Sequence, residues 1–500
     1  MNNNNVLLPL FIAMPLGAAF LIVLIGRLRE AISDLVAVVI TALLVVGSLA
    51  VAGLEPQVYH MGGWEPPFGI NLVLDPLSTL LLIIISVVSF LVCLYSINYM
   101  TSYTSKPKYY GLLMLMIAGM NGVVLTGDLF NMYVFLEIGA IASYALVAFG
   151  TEHEELEASF KYLVLGSVAS SFILFGIALT YSATGTLNLA DIASTIGSKG
   201  LNPVMIFASA LFIGGFGLKA AMVPFHAWLP DAHPSAPAPI SAMLSGLLIK
   251  ALGVYALIRL FYSVIGVGGM YTNILIVLGI LSMVVGVILA VGQWDFKRLL
   301  AYHSISQMGY VMLGVGIGSP LALLGALFHL LNHSVFKSLL FLCSGAVEHS
   351  TGTRQLKQLG GLWSKMPVTG STCSVASLSI SGVPPFNGFW SKLLIIVGAV
   401  QAADRFGLWA YILAAITVLV SFLTLVSFVK VQRYVLFGAL SEKLQKVREV
   451  PAAMCLALIV FAILCLGLGV LCPFVLEQLI EPARDVVLDK AAYISLVLPG

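Results

Sequence analysis

Apolar segments of about 20 residues, each long enough to cross the hydrocarbon core of a bilayer as a helix, recur from one end of this chain to the other. Because lipid offers no hydrogen-bond partners, backbone groups inside it must be satisfied internally, and such segments do so as helices. Of the 500 residues, 60% are hydrophobic and only 9% are charged, whereas about a quarter are charged in soluble domains. The mean hydropathy is +1.04. The sequence therefore predicts an all-α polytopic protein of the cell membrane.

About 14 transmembrane helices are expected from the lengths of the apolar segments. The segment 367–402 contains its own break, SGVPPFNGFWSK, and is read as one discontinuous helix. The first residues, MNNNNVLLPLF, lack the positive region of a signal peptide, so the first apolar segment is expected to remain as a helix. The predicted spans are 6–26, 33–54, 76–100, 109–127, 129–150, 160–182, 203–228, 239–263, 273–292, 299–318, 321–345, 367–402, 409–430 and 451–476.

The basic residues of the loops are divided unequally between the two sides of the predicted bundle. Cytoplasmic loops of membrane proteins carry an excess of Lys and Arg. The richer side is therefore expected to be cytoplasmic, which places both termini on the outer side. The richer loops hold Arg27, Arg29, Lys106, Lys108, Lys297, Arg298, Arg354, Lys357, Lys365, Lys430, Arg433, Lys443, Lys446 and Arg448, and the opposite loops hold Lys199, Arg405, Arg484 and Lys490.

The stretch 214–259 combines two lone lysines with a helix break. Lys219 lies in an apolar helix, and five residues later Pro224 removes a backbone donor and should break that helix. A second apolar helix then begins near residue 240 and carries Lys250. A charge near the bilayer centre costs about 3 kcal/mol on insertion scales, and broken helices occur at that depth only where they line a polar interior. The stretch therefore indicates an ion or proton path.

An internal repeat relates two parts of the chain. YSATGTLNLADIA (181–193) resembles EHSTGTRQLKQLG (348–360) at an offset of 167, and VPFHAW (223–228) resembles PPFNGFW (384–390) at a slightly shorter one. Pro384 and Pro385 then mark a second break, equivalent to Pro224. Five helices per unit is an odd number, so the second unit should cross the membrane in the opposite direction, as in transporters built from inverted repeats. The predicted parts are three N-terminal helices (1–108), two five-helix repeats (109–263 and 273–430), and a loop with the last helix (431–500).

Further ionisable residues lie within the predicted spans. Glu137 is alone in an apolar helix, and Lys392 follows the second break. His329, His333 and Lys337 are spaced i, i+4 and so share one helix face. This stripe favours a polar interior over isolated core histidines. A zinc site at the two histidines is the rival interpretation, although no carboxylate or cysteine lies beside them.

Three residues near the first break allow two interpretations. His226, Asp231 and His233 follow Pro224 within the segment PFHAWLPDAHPSAPAP. They are equally consistent with capping of the loop and with proton uptake from the cytoplasm.

The chemistry of these residues favours protons over sodium. Desolvation favours the neutral form of a lysine, so a buried lysine is able to pass a proton. A glutamate within reach of such a lysine would hold it charged, and histidine relays protons between neighbouring groups. A sodium site would need several oxygen ligands, and only Glu137 and Asp128 are near candidates.

The longest motifs resemble a known family. They are MVPFHAWLPDAHPSAPAPISAMLSGLLIKALGVYALIR, HLLNHSVFKSLLFLCSGAVEHSTGTR and SGVPPFNGFWSKL, and they are similar to the antiporter-like subunits of respiratory complex I and of Mrp sodium/proton antiporters. The resemblance implies 14 helices, two inverted five-helix repeats and a row of charged residues across the middle of the membrane. Carried over, Glu137 and Lys219 match the glutamate–lysine pair of helices five and seven and Lys250 the connecting lysine. His329, His333 and Lys337 match the helix-eleven group, and Lys392 matches the terminal position of helix twelve.

The resemblance also carries expectations about partners. Family members work inside assemblies, so other membrane subunits are expected beside this chain in the lipid bilayer, and no feature suggests nucleic acid. Lysine at position 392, and a chain end soon after the fourteenth helix, favour similarity to the Mrp D-type protein. A complex I-type dehydrogenase and a membrane-bound hydrogenase-like complex are the alternative hosts. No quinone, flavin or iron–sulfur motif is found, so no cofactor is expected. A sodium path and a purely structural scaffold subunit are the remaining alternatives.

Overall fold

A computed structural model describes residues 7–26 and 30–498, and α-helices account for most of this part of the chain. Arg27 and Arg29, which contributed to the expected charge asymmetry, lie outside the described residues. The helices are α1 (Leu7–Ile25), α2 (Glu30–Val51), α3 (Pro76–Tyr99), α4 (Lys106–Leu125), α5 (Leu129–Val147), α6 (His153–Thr184), α7 (Leu189–Lys199), α8 (Pro203–Lys219), α9 (Leu229–Ser235), α10 (Ala238–Met243), α11 (Ala256–Ile258), α12 (Met270–Val291), α13 (Phe296–Ile317), α14 (Pro320–Thr351), α15 (Pro367–Ser381), α16 (Asn387–Gln401), α17 (Ala403–Phe406), α18 (Leu408–Val431), α19 (Ala452–Val470), α20 (Cys472–Val475), α21 (Glu481–Leu488) and α22 (Lys490–Val497).

Within the described ranges, 11 helices are long and apolar enough to cross a membrane. Three of the predicted spans are not among them. The helix at 203–228 stops at Lys219 and is shorter than predicted, and the segment 367–402 is divided between α15 and α16. The third is α13, which carries buried polar side chains including His303 and Gln307. The chain is thus a helical membrane protein. The three predicted spans outside this count are the two broken helices and the polar helix α13.

The polar helices lie at the centre of the bundle. The segment Ala238–Ile265 and helix α14 are buried, whereas α1, α2 and α19 present most of their apolar side chains to the outside. Gly253 packs so closely on the backbone of Ala220, beside Lys219, that a Cβ there would meet the Ala220 nitrogen at 2.5 Å. Gly246 contacts α14 in the same way, since its Cβ would lie 2.1 Å from Ser338 Oγ. These two glycines let the segments that carry the intramembrane lysines touch one another.

The central segment 238–265 is not a regular α-helix. It contains three π-helical stretches, Leu244–Leu248, Lys250–Tyr255 and Arg259–Ile265. A π-helix shifts the backbone hydrogen bonds from i→i−4 to i→i−5, and such stretches are frequent at functional sites. The sequence predicted an apolar helix here and gave no sign of this change.

A short β-hairpin corrects the all-α prediction. Strand β1 (Gln57–His60) pairs antiparallel with β2 (Asn71–Leu74), with Gln57 opposite Leu74. The next residue, Asp75, caps α3 by accepting a hydrogen bond from Ser78 N at 2.8 Å.

The hairpin covers one end of the bundle, called here the opposite end (52–75, 126–128, 185–202 and 402–407). The other end, called the basic end (148–152, 294–298 and 352–366), carries Lys297, Arg298 and Arg354.

Two matching joints lie at the two ends. At the opposite end, Asp128 forms an isolated antiparallel bridge with Asn188 and caps α5 through Asn131 N. At the basic end, Asp295 forms the same bridge with Gln355 and caps α13 through Arg298 N. Both partners are shifted by 167 positions, the offset of the sequence repeat. The helices that lead to the two joints, α6 and α14, both contain 32 residues.

Candidate functional site

Glu137 and Lys219 form an ion pair near the middle of the bundle. Glu137 comes from α5 and Lys219 is the last residue of α8, so the ammonium group lies where the first broken helix ends. Glu137 Oε1 and Lys219 Nζ are 3.6 Å apart, which is longer than a direct hydrogen bond. The side chain of Lys219 is buried, whereas 25% of the Glu137 side chain is exposed. The carboxylate thus lies at the edge of the subunit and the lysine lies inside it.

A serine hydroxyl bridges the two charges. Ser170 on α6 donates a hydrogen bond to Glu137 Oε1 and accepts one from Lys219 Nζ at 3.1 Å. Lys219 Nζ also donates to Tyr144 OH at 3.3 Å. Neither Ser170 nor Tyr144 was predicted as a site residue. Hydroxyl groups are common on transmembrane helices, so only the fold distinguishes these two.

Lys250 binds two backbone carbonyls of the first π-helical stretch. Its Nζ donates to Ser245 O at 2.7 Å and to Gly246 O at 2.8 Å. The side chain is 1% exposed. Within residues 7–26 and 30–498 no carboxylate forms a salt bridge with it, so its hydrogen bonds are to neutral carbonyl dipoles.

His329 uses both ring nitrogens in side-chain hydrogen bonds. Nδ1 lies 2.9 Å from Ser391 Oγ on α16, and Nε2 lies 3.2 Å from Gln307 Oε1 on α13. The ring of His333 is 6.3 Å away. The described residues contain no group of three or more His, Cys, Asp or Glu side chains placed to hold a metal ion. His329 is thus held by polar side chains of two neighbouring helices, whereas the ring of His333 packs against Phe336 at 5.4 Å.

Lys337, His333 and His233 lie buried without side-chain partners. Lys337 Nζ, and both ring nitrogens of His333 and of His233, have no hydrogen-bond partner in the part of the chain that the structure describes. The ring of Phe341 lies 5.6 Å from that of His233 and 5.6 Å from Lys337 Nζ. Buried polar groups in proteins are nearly always hydrogen-bonded, to protein or to ordered water. Lys337, His333 and His233 therefore form a group of buried polar side chains that the protein atoms of the described residues leave unsatisfied.

Lys392 lies beside the second helix break. Its Nζ donates to Ile380 O, in the last turn of α15, at 2.7 Å and to Ser421 Oγ on α18 at 3.2 Å. It also lies 4.9 Å from the ring centre of Tyr310. The C-terminal end of a helix attracts cations. Lys219 is thus the last residue of the first half of its broken helix, whereas Lys392 belongs to the second half, α16, and reaches back with its ammonium group to the end of α15.

The prolines predicted to break the helices lie in the two interruptions. Pro224 follows α8 in the connection to α9, and Pro384 and Pro385 lie between α15 and α16. Each of the segments Val223–Pro224 and Pro384–Pro385 contains a cis peptide bond. Pro224 is exposed on the outside of the subunit.

The three residues after the first break do not form one cluster. Asp231 pairs with Lys161 at 3.1 Å and Arg298 at 3.4 Å, and so joins α6, α9 and α13 at the basic end. His233 is buried toward Lys337, and the half-buried His226 makes no hydrogen bond with either of the other two in the ranges described. The geometry favours a structural role for Asp231 and leaves His233 as the group nearest the lysines.

A charged cavity of 310 Å³ opens at the basic end. Within it Arg354 donates to Asp295 and lies 3.7 Å from Glu348. Burial by itself would lower the pKa of the Arg354 guanidinium, but the carboxylates of Asp295 and Glu348 outweigh it and the pKa is raised. Arg354 is therefore a fixed cation at this mouth. The other charged residues around the cavity are Glu154, Glu157, Lys161, Asp231 and Arg298.

A buried ion pair closes the opposite end. Arg259 donates to Asp75 through two nitrogens, at 2.6 and 2.9 Å, and both side chains are at most 2% exposed. Burial would raise the pKa of the Asp75 carboxyl, but Arg259 outweighs burial and the pKa is lowered. The pair ties the end of the π-helical segment to the start of α3, and the sequence analysis did not anticipate it.

Comparisons with known proteins agree with this architecture. Residues 126–419 match the family described as NADH:quinone oxidoreductase/Mrp antiporter, transmembrane region. Residues 64–110 match the N-terminal region of chain 5 of NADH-ubiquinone oxidoreductase, complex I.

Two curated relatives and one solved structure cover nearly the whole chain. The D subunit of the Na(+)/H(+) antiporter of Alkalihalophilus pseudofirmus is 36% identical, with 99% of both chains covered. The N subunit of the NADH-quinone oxidoreductase of Desulforudis audaxviator is also 36% identical, with 96% of this chain and 97% of the relative covered. A chain in the structure of the Mrp complex from a Dietzia species superposes with a TM-score of 0.90 at 30% identity, over 100% of both chains.

Proposed function

The chain belongs to the family of antiporter-like membrane subunits shared by NADH:quinone oxidoreductases and Mrp antiporters, and we propose that it moves protons along a row of lysine, histidine and glutamate side chains inside the membrane. The resemblance seen in the motifs is thereby confirmed. The chain is an antiporter-like subunit of a multisubunit membrane complex. The row proposed for the protons consists of Glu137, Lys219, Lys250, His329, His333, Lys337 and Lys392.

One observation carries this proposal: three of the four interior lysines have no counter-charge. Lys250, Lys337 and Lys392 are at most 3% exposed, and within the described residues none of them forms a salt bridge. An unpaired buried charge destabilises a protein unless the group becomes neutral or is hydrated. Three unpaired buried lysines would destabilise a subunit whose role is purely structural. A proton path, in contrast, requires groups that alternate between charged and neutral forms.

The Glu137–Lys219 pair acts as the gate of the row. At 3.6 Å and an effective dielectric constant near 20, the attraction between the two charges is on the order of 4 kcal/mol. While the pair is closed, this attraction keeps the proton on Lys219. When Glu137 moves away or takes up a proton itself, the attraction is lost and Lys219 releases its proton toward Lys250.

Beyond the gate the path runs through the hydrated centre. The segment that carries Lys250 packs against the part of α14 that carries Lys337, through the contact of Gly246 with Ser338, so like-charge repulsion disfavours charge on both lysines at once. A proton that reaches this region passes by way of His333 and His329 to Ser391 and the neighbouring Lys392. Repulsion between the lysines then drives the proton onward.

The proposed topology has 14 transmembrane helices and two inverted repeats, 109–263 and 273–430. The 11 long helices, together with α8, α13 and the broken pair α15 and α16, account for that number. Support for the inversion comes from the two bridges at Asp128 and Asp295, which are 167 residues apart in sequence and lie at opposite ends of the bundle. The basic end faces the cytoplasm in this arrangement, and both termini lie outside. Residues 1–108 and 431–500 flank the repeats.

A partner subunit covers the gate. A carboxylate such as Glu137, 25% exposed on an apolar membrane helix, cannot be left facing lipid. Pro224 is exposed at the first break. A neighbouring membrane subunit with a polar face is the partner that this edge requires, and its movements would open the pair.

The host complex is an Mrp-type antiporter, in which this chain takes the place of the D protein. Lys392 and the superposition on the Mrp complex over its full length favour this assignment. The equal identity to the relative from NADH-quinone oxidoreductase supports a redox-driven complex as the second candidate. Protons are the transported ion, because the interior described here offers ammonium and imidazole groups rather than the several oxygen ligands that sodium prefers.

The test uses the assembled complex in inverted membrane vesicles. Glu137→Gln and Lys219→Met should each abolish the pH change that accompanies transport, while the exposed control Glu442→Gln should transport like the wild type. Removal of one member of a buried pair can cost about 3–5 kcal/mol, so assembly is first verified by native gel. Wild-type transport by an assembled Glu137→Gln complex would refute the gate.

A further inference from the structure

One buried histidine has no place in the path described so far. His303 lies on α13 and is 0% exposed. Its Nε2 is 2.8 Å from Ser427 Oγ on α18, and its ring centre is 4.8 Å from that of Phe428. It is seven residues from the first residue of α13, so at 1.5 Å per residue it lies roughly 10 Å from the basic end. His303 is therefore between that end and the middle of the membrane.

A series of hydrogen-bonding side chains leads inward from this position. Gln307 follows one turn later on α13, and its Oε1 is 3.2 Å from His329 Nε2. The other nitrogen of His329 is 2.9 Å from Ser391 Oγ, and the next residue is Lys392. The hydrogen-bonded series thus ends at Ser391, next in sequence to the terminal lysine of the proposed row, whose Nζ is bonded to Ile380 O and Ser421 Oγ.

His303 and Gln307 each have one side-chain nitrogen without a hydrogen-bond partner in the part of the chain that the structure describes. His303 Nδ1 and Gln307 Nε2 are both buried and have no hydrogen-bond partner among the residues described. Residues spaced i, i+4 lie on one helix face, about 6 Å apart. Water molecules enter protein interiors where two to four polar partners surround a site, and these two orphan atoms provide such partners. A water between them would complete the connection.

A charged residue lies farther out on the same helix as Ser427. Ser427 is followed three residues later on α18 by Lys430, which is only partly buried. Lys430 Nζ donates to Val291 O and Gln293 O, both at 2.7 Å, where α12 ends at the basic end. The charged side chains whose fields reach His303 are Lys337, Lys392 and Lys430. A neutral imidazole suits this cationic setting, since it accepts a proton on one nitrogen as it gives up the proton on the other.

We propose that Ser427, His303 and Gln307 form a second proton access, which connects the basic end with His329 and Lys392 without passing the Glu137–Lys219 pair. The inference rests on the proposed function. A proton arriving at His303 Nε2 from the Ser427 side is matched by release of the Nδ1 proton to the water next to Gln307. Gln307 does not carry this proton, because its Nε2 only donates and its Oε1 accepts from His329 Nε2. It holds the water in place, and further water passes the proton inward beside His329. The second repeat is thereby supplied from its own end, and His303 is the relay residue. Transport needs both parts, because the charge that the Glu137–Lys219 pair releases along the row is what drives the proton taken up through His303 onward from Lys392.

The experiment compares His303→Ala and Ser427→Ala with Thr424→Val in the assembled complex. Thr424 is a buried hydroxyl residue one turn from Ser427 on α18, and its Oγ1 donates only to Val420 O within the helix. We expect at least a tenfold loss of proton transport for His303→Ala, a severalfold loss for Ser427→Ala, and less than a twofold change for Thr424→Val. Imidazole in the buffer should restore part of the transport of His303→Ala. Pyrrole, which has a similar size but no basic nitrogen, should not.

The outcomes separate this inference from the proposed function. Wild-type transport by assembled His303→Ala, together with an inactive Glu137→Gln complex, would overturn the second access and leave the gate intact. Full transport in both variants would refute the proposed function itself. If His303→Ala does not assemble, a cryo-EM map of the wild-type complex decides: water density between His303 Nδ1 and Gln307 Nε2 supports the access, and a dry gap overturns it.

Discussion

Replacement of Ser170 by alanine tests the gate without removing either of its charges. Ser170 Oγ donates to Glu137 Oε1 and accepts from Lys219 Nζ at 3.1 Å. The ammonium and the carboxylate are 3.6 Å apart, beyond the range of about 2.6–3.2 Å in which a proton is handed on directly. The hydroxyl is therefore the shortest connection between the two charges, and Ser170→Ala removes it.

The size of the effect follows from the two contacts that are lost. A hydrogen bond to a charged group contributes about 1.5–3 kcal/mol, and each 1.4 kcal/mol corresponds to about a tenfold change in an equilibrium constant. Ser170 is only 6% exposed, so water replaces the hydroxyl incompletely. We expect proton transport to fall about tenfold to a hundredfold, with the complex still assembled.

The assay is the decay of an imposed pH gradient in inverted vesicles, normalised to the amount of assembled complex. Ser171→Ala is the matched control, because Ser171 is the next residue on α6, is exposed, and donates only to Ser167 O. Ser170→Thr retains the hydroxyl and should keep most of the activity. Equal transport by Ser170→Ala and Ser171→Ala would show that the hydroxyl does not connect the two charges.

Two further predictions concern the ends of the path and of the bundle. Lys392→Ala should lose proton transport, and Lys392→Glu should retain part of it with a changed pH dependence. Both variants are measured in the same vesicle assay, with and without sodium. Full activity of Lys392→Ala would mean that the path ends elsewhere. Asp75→Asn should lower the free energy of unfolding by about 3–5 kcal/mol, because it leaves Arg259 buried and unpaired, and denaturation of the purified complex should show no such loss for the exposed Glu55→Gln. Because the pKa of Asp75 is lowered in the folded protein, the stability that this pair provides is complete above about pH 4 and is lost as the pH falls further. If Asp75→Asn is as stable as the wild type at neutral pH, both the predicted loss of unfolding free energy and its pH dependence are contradicted.

The sequence was most informative where the bilayer penalises a residue type. Lys219, Lys250, Lys337 and Lys392 each interrupt an apolar segment, and the cost of a charge in lipid made them visible without any coordinates. The membrane class followed from the same physics, and so did the family once the motifs were compared. The 14-helix count and the inverted repeats remain predictions.

The sequence was least informative about the neutral groups that connect and surround the charged residues. Ser170 and Tyr144 connect the charges of the gate, yet hydroxyl residues are inexpensive in helices and three serines lie close together on α6. The π-helical backbone around Lys250 has no residue signature. The ion pair of Asp75 and Arg259 joins residues 184 positions apart, a contact that only the folded chain brings together.

Loop residues were harder to interpret than those in the membrane. His226, Asp231 and His233 are close in sequence but point to different surroundings, because a short helix, α9, separates their directions. Asp231 binds two cations at the basic end, and His233 is buried toward the centre. Spacing alone could not separate an ion-paired aspartate from a buried histidine in a segment so rich in proline.

The central claim is that the interior lysines are present for proton transfer and at the expense of stability, and Lys337 tests it most directly. Its Nζ is fully buried and has no hydrogen-bond partner in the described ranges. Lys337→Met keeps much of the side-chain volume and removes the charge. Thermal unfolding and proton transport are measured on the same preparation of assembled complex. We expect Lys337→Met to unfold at the same or a higher temperature than the wild type and to transport no protons. A variant that unfolds at a lower temperature and still transports at the wild-type rate would contradict it.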